Sequence, residues 1–124
     1  MSTGQAAIAR ALQTIMASLG GNLVVQNAQI TLTTTYVTVT ATDSIILANN
    51  PSRKYLAIVN RDVGDADLAF DTVAVAGHGI PVSSAASLGA QGGGYIFESV
   101  VPGGAVHAVT ATGVITHLVV VEGV

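Results

Sequence analysis

The sequence predicts an all-β fold: an antiparallel β-sandwich, jelly-roll-like, preceded by an N-terminal amphipathic α-helix. Three observations carry this expectation. After Gly21 the chain becomes rich in Val, Ile and Thr, whose branched side chains suit a pleated, half-buried surface. Short apolar or alternating runs follow one another, punctuated by Gly, Pro, Asn and Asp. No helical periodicity recurs after the first segment. The 124 residues suit one hydrophobic core, divided into a helical arm at 1–21 and a sandwich domain at 22–124.

In the arm, Ser2 and Gln5 have the spacing of a capping box. Ile8, Leu12, Ile15 and Leu19 recur on one helical stripe, and Gly20-Gly21 supplies a left-handed stop. Ala6, Ala7, Ala9, Ala11 and Ala17 keep the helix slim, so the stripe is a candidate oligomer interface. Expected strands include Leu23-Val24-Val25, Tyr36 to Thr40, Ile45 to Leu47 and Lys54 to Asn60. Leu68 to Asp71, Thr72 to Ala76, Tyr95 to Val100, Ala105 to Thr110 and Val114 to Val121 follow.

Two turns suggest hairpins. Val63-Gly64-Asp65 would set Leu56, Ile58 and Asn60 opposite Thr72, Phe70 and Leu68, with Arg61 facing Asp67. Thr112-Gly113 would fold 105–110 back on 114–121 and bring His107 near His117. Between them, Ser83 to Gly94 reads as a mobile surface loop.

Charge is the unusual feature. Only 9% of residues are charged, against about 25% in an ordinary soluble domain. A net charge of -3 leaves no basic footprint for nucleic acid. Polar residues and glycines interrupt each long apolar stretch before the roughly 20 residues a membrane helix needs. Arg10 interrupts the first apolar run, so no secretory signal is expected there. The absence of cysteine excludes a disulfide framework. Poverty of charge suggests a surface covered by copies of the chain or by a partner.

Candidate chemistry is sparse, and neither an enzyme nor a bound cofactor is expected. Asp62, Asp65 and Asp67 beside Gly64 offer carboxylates to a hard cation, but their spacing is that of a tight turn. His107 and His117 could share a metal across neighbouring strands, with His78 in a loop, yet no nearby acid completes the set. Ser83, Ser84, Ser87 and Ser99 lack a nucleophile elbow. Gly89 to Gly94 lacks the Lys-Ser/Thr of a phosphate loop, and Glu98 has no recognisable acidic partner. Tyr36, Tyr55 and Tyr95 are available to a sugar but are scattered over separate strands.

One stretch is more specific. Asn50-Pro51-Ser52-Arg53-Lys54-Tyr55-Leu56-Ala57-Ile58-Val59-Asn60 precedes Gly64-Asp65-Ala66-Asp67-Leu68-Ala69-Phe70. Then come Gly79-Ile80-Pro81-Val82, Gly93-Gly94-Tyr95, Ala105 to Val109, and Leu118 to Gly123 with its Glu-Gly ending. This order resembles small β-sandwich structural proteins of tailed bacteriophage virions, over about the last three-fifths of the chain. The resemblance implies a capsid decoration (cement) protein, commonly a trimer, bound to the major capsid protein. Such a protein is made in the host cytoplasm and mounted on the outer shell. A head-fibre, neck or tail accessory is the alternative within the class, and a carbohydrate-binding module for host attachment lies outside it. The arm and the Thr-rich Ala28 to Thr42 segment fall outside the matched pattern and could serve as adapter or oligomerisation arm. Arg53 and Lys54 are candidate rim contacts to an acidic partner.

Overall fold

The computed structural model describes residues 5–10, which are helical, and 29–124, which hold eight strands. These are β1 (Leu32–Val39), β2 (Ser44–Leu47), β3 (Tyr55–Asn60) and β4 (Ala66–Phe70), then β5 (Ile80–Val82), β6 (Gly94–Phe97), β7 (Val106–Val109) and β8 (Thr116–Gly123). They form two antiparallel sheets, ordered β1-β8-β3-β6 and β2-β7-β4-β5. That division of strands is a jelly roll: the chain passes between sheets at every connection except β4 to β5. Most of the expected helix stripe, with its glycine stop, and the expected strand at Leu23-Val24-Val25 lie outside the described residues.

Period-two alternation sets the core. On β3, Leu56, Ile58 and Asn60 point inward, and on β8 Thr116, Leu118 and Val120 do so. Val39, Leu68, Val82, Val106 and Ala108 meet them from β1 and from the second sheet. Phe70 and Phe97 close one region edge to face, with ring centroids 5.8 Å apart and an 83° interplanar angle.

Both expected hairpins are corrected. β3 pairs with β8 and β6, whereas β4 pairs with β7 and β5, so the 61–65 turn is an arch between sheets. The Thr112-Gly113 turn likewise joins β7 of one sheet to β8 of the other. The physical reason is that both faces of a short hairpin built from these strands would be apolar. Separating them places one face of each strand in a shared core. Arg61 therefore donates to the Gly89 and Ala90 carbonyls, and Asp67 instead accepts the Gly77 N–H at 2.9 Å. Thr72 to Ala76 is loop, tied down where the Ala74 N–H donates to Asp43 at 2.8 Å.

Two buried polar side chains hold the crossovers. Asn60, with no exposed surface, donates through Nδ2 to the carbonyls of Gly64 (2.7 Å) and Val82 (3.1 Å). Its Oδ1 accepts the Asp62 N–H and the Thr116 hydroxyl, each at 3.0 Å. One amide thus uses its whole donor and acceptor capacity to join β3, the 61–65 arch, β5 and β8. Gly64 is required in this arch, because a Cβ would lie 2.7 Å from the Val114 side chain and 2.8 Å from the Ile115 carbonyl.

At the opposite end of β3, Arg53 is buried rather than exposed at a rim. Its Nε donates to Glu122 at 2.8 Å, Nη1 to the carbonyls of Pro102 (2.6 Å) and Gly104 (2.9 Å), and Nη2 to that of Ala48 (2.8 Å). A guanidinium supplies this fork of donors, which an ammonium cannot. The segment 83–93 is also more tied than expected. Ala85, Gly89 and Gly92 donate backbone N–H groups to the carbonyls of Asp62, Arg61 and Asn60.

Replacing Asn60→Ala strands four buried polar groups and is expected to cost about 3 kcal/mol or more, since each loss is worth roughly 1–3 kcal/mol. Leu118→Ala, a cavity in the same core, is expected to cost about 2–5 kcal/mol. Urea denaturation measures both; an Asn60→Ala loss below about 1 kcal/mol would contradict the crossover role.

Candidate functional site

The feature that distinguishes this sandwich is the outer face of the β1-β8-β3-β6 sheet. Residues opposite one another in an antiparallel pair share a face, so the register defines rows across it. One row runs Tyr36, Val119, Val59 and Gly94; the next runs Thr34, Val121, Ala57 and Ile96. Leu32, Gly123 and Tyr55 make a third, and Thr38 with His117 begins a fourth. None of these positions is Asp, Glu, Lys or Arg. An antiparallel sandwich usually alternates apolar-in and polar-out, whereas here β8 carries Leu118 and Val120 inward and Val119 and Val121 outward.

The exposed part lies on the edge strands, where Leu32 is 59%, Tyr36 59% and Ile96 62% exposed, while Val59, Val119 and Val121 between them are half-buried and Ala57 is buried. Ile30 and Tyr55 close over Gly123, where a Cβ would approach them to 2.5 and 2.8 Å. The outer face of the other sheet differs. It carries Asp67 and the His107–Asp43 pair, and the Val73 to Ala76 loop is anchored beside it through Ala74 and Asp43.

The two histidines expected side by side are apart, each with its own carboxylate. Nδ1 of His117 lies 2.5 Å from Oδ2 of Asp62, and the ring stacks on Tyr36 at 5.1 Å and 4°. Nδ1 of His107 lies 3.1 Å from Oδ2 of Asp43. The cause of the separation is topological, since β7 and β8 belong to different sheets. The hydrogen bond from His117, then the Val63 N–H, hold the Asp62 carboxyl below the ordinary aspartate value. The Ala74 N–H, then His107, do the same for Asp43.

The aspartates of the 62–67 turn diverge to separate partners: Asp62 to His117, Asp65 to the Ser84 N–H (2.7 Å) and Asp67 to Gly77. Among the described residues no group of three His, Cys, Asp or Glu could hold a metal ion. Tyr95 packs against the core and donates its hydroxyl to the Pro81 carbonyl at 2.8 Å, apart from Tyr36 and Tyr55 on the outer face. A shallow open depression is lined by Ile96 to Val100, and it includes Glu98 and Ser99 but no histidine. Of the proposed interface residues, Ile8 is exposed, Lys54 is exposed and Arg53 is internal. Leu12, Ile15 and Leu19 lie outside the described residues.

Within the Thr-rich segment, Leu32–Val39 is strand β1 of the sandwich. Two signals in the sequence could have found the outer face. One was the uninterrupted Leu118 to Val121 run, and the other was the absence of any charge between Arg10 and Asp43. No helix among the described residues is long and apolar enough to cross a membrane.

No protein family matches the chain, and no curated protein does. Among solved structures, one from a study of Bacillus endospore appendages, described as a novel family of disulfide-linked pili, aligns at 19% identity and TM-score 0.43. The alignment covers 78% of this chain and 90% of that one.

Because Asp43 and Asp62 have folded-state pKa values below the ordinary 3.8, their stabilisation is complete above that value. It is lost as pH falls below 3.8 and through the depressed values, where protons favour the unfolded chain. Urea midpoints measured from about pH 5 down to about pH 2 should fall, and Asp43→Asn with Asp62→Asn should flatten that fall. An unchanged slope in the double variant would contradict the pairing.

Proposed function

We propose that this chain is a structural subunit that acts through protein–protein contact, without a catalytic step. The observation that carries the reading is the outer face of the β1-β8-β3-β6 sheet, whose strand positions hold no Asp, Glu, Lys or Arg and which meets the His117–Asp62 pair only in its last row. Interfaces are depleted in charge at their centres and enriched in aromatic residues, and this face has Tyr36 and Tyr55 among valines and threonines. Asp43, Asp62, Asp65, Asp67 and Arg53 are committed to holding arches and loops.

Within that class, the Asn50 to Asn60 pattern and the elements after it support a capsid decoration protein of a tailed bacteriophage. Its partners are then further copies of itself and the major capsid protein, and its site is the outer capsid surface. A permanent adhesive subunit needs a rigid body and complementary surface over roughly 1,000 Å² or more, which a sheet face can supply.

Deleting the coding sequence and imaging the resulting particles tests the assignment. Heads that assemble but lack surface knobs and burst more readily under osmotic shock are the expected result. Tailless particles, or knobs that persist, would overturn it. Glycan binding lost on Tyr36→Ala would move the protein to the host-attachment class.

A further inference from the structure

A sandwich of two open sheets has four edge strands, and a bare edge invites pairing with another chain. Three edges here are blunted. Strand β5 has three residues and contains Pro81; β6 has four residues; β2 has four, with a register shift between Ile45 and Leu47. Short strands, proline and bulges are the usual protections. Strand β1 has none of them: it runs eight residues, Leu-Thr-Thr-Thr-Tyr-Val-Thr-Val, with no charge, proline or glycine. Its residues from Leu32 to Tyr36 are exposed on both faces.

The hydrogen-bond phase tells which backbone groups are free. Thr31 and Val124 exchange both backbone bonds, at 2.9 and 3.1 Å. The bonded positions in an antiparallel ladder alternate, so Thr33, Thr35, Val37 and Val39 face β8. The N–H and C=O groups of Leu32, Thr34, Tyr36 and Thr38 therefore point away from the sheet, where no described strand lies.

The geometry points to a second copy of this chain as the occupant, joined by antiparallel β1–β1 pairing about a two-fold axis at Thr35. Outward groups must meet outward groups, which fixes the parity of the register. The register centred on Thr35 uses all of them, pairing Leu32 with Thr38 of the second copy and Thr34 with its Tyr36. Branched and aromatic residues then face each other across the seam, a favourable cross-strand combination. Copies carrying a net charge of -3 repel, and this strand lets them approach without placing like charges opposite each other. The two-fold keeps outer face with outer face, so the sheet becomes β6-β3-β8-β1-β1-β8-β3-β6 and its outer surface doubles. The contact does not depend on the virion assignment. It gives an even stoichiometry, in contrast to the trimer implied by the phage resemblance.

Mass measurement and site-directed cross-linking of the purified full chain test this directly. The wild-type species should have an even multiple of the 12.4 kDa chain mass. Thr34→Pro removes only an outward N–H, which an edge strand tolerates, and should halve the mass with an unchanged far-UV spectrum. Thr35→Cys places two sulfurs across the axis at a pair spaced about 4.5 Å between Cα atoms, within disulfide reach. The chain has no other cysteine, so near-complete cross-linking under mild oxidation is expected. A single-chain or trimeric mass would overturn the pairing. So would an undiminished mass in folded Thr34→Pro, or an even oligomer in which Thr35→Cys stays reduced.

Discussion

The side-chain amide of Asn60 is the constraint on which the sandwich depends. A jelly roll sends its chain repeatedly from one sheet to the other, and each crossing leaves backbone groups without a ladder partner. At the end of β3 these groups are buried, and water cannot satisfy them. Asn60 does so from one position, donating to Gly64 and Val82 and accepting from Asp62 and Thr116. An apolar residue of similar size would fill the volume and leave the arch unpaired. Arg53 plays the corresponding part at the other end of β3, where loops from both sheets meet Glu122. Between them the core needs only aliphatic alternation and one aromatic pair.

These two residues show what was legible in the chain. The inward parity of Leu56, Ile58 and Asn60 follows from period-two alternation, and so does the class of fold. Strand pairing did not follow. A turn such as Val63-Gly64-Asp65 fits a hairpin as well as an arch, because local turn chemistry does not encode which sheet receives the next strand. Consecutive strands are commonly neighbours, and this topology departs from that tendency everywhere except at β4 and β5. The misplaced meeting of His107 and His117 descends from the same ambiguity. Arg53 is hidden for a different reason: three of its four partners are backbone carbonyls, which have no signature in residue type.

The low charge has two structural causes. The core takes apolar residues from one face of every strand, as in any sandwich. The β1-β8-β3-β6 sheet also carries no Asp, Glu, Lys or Arg at the strand positions of its outer face, which removes a second set of positions where charges normally stand. Most of the carboxylates that remain are bound in loops: Asp43 to Ala74, Asp65 to Ser84, Asp67 to Gly77 and Asp71 to Ala105. The molecule is held by polar groups at its ends and presents uncharged surface along one side. That division suits the contact role proposed above.

The uncharged β1 edge is the contact proposed between copies. Amide hydrogen exchange resolved residue by residue reads it most directly, because β1 divides its N–H groups between two sides. Thr33, Thr35 and Val37, bonded to β8, should be protected at every protein concentration. Leu32, Thr34, Tyr36 and Thr38 should exchange rapidly when the chain is dilute and become protected as it associates. Equal protection of both sets when dilute, or rapid exchange of the second set in the associated protein, would contradict the account.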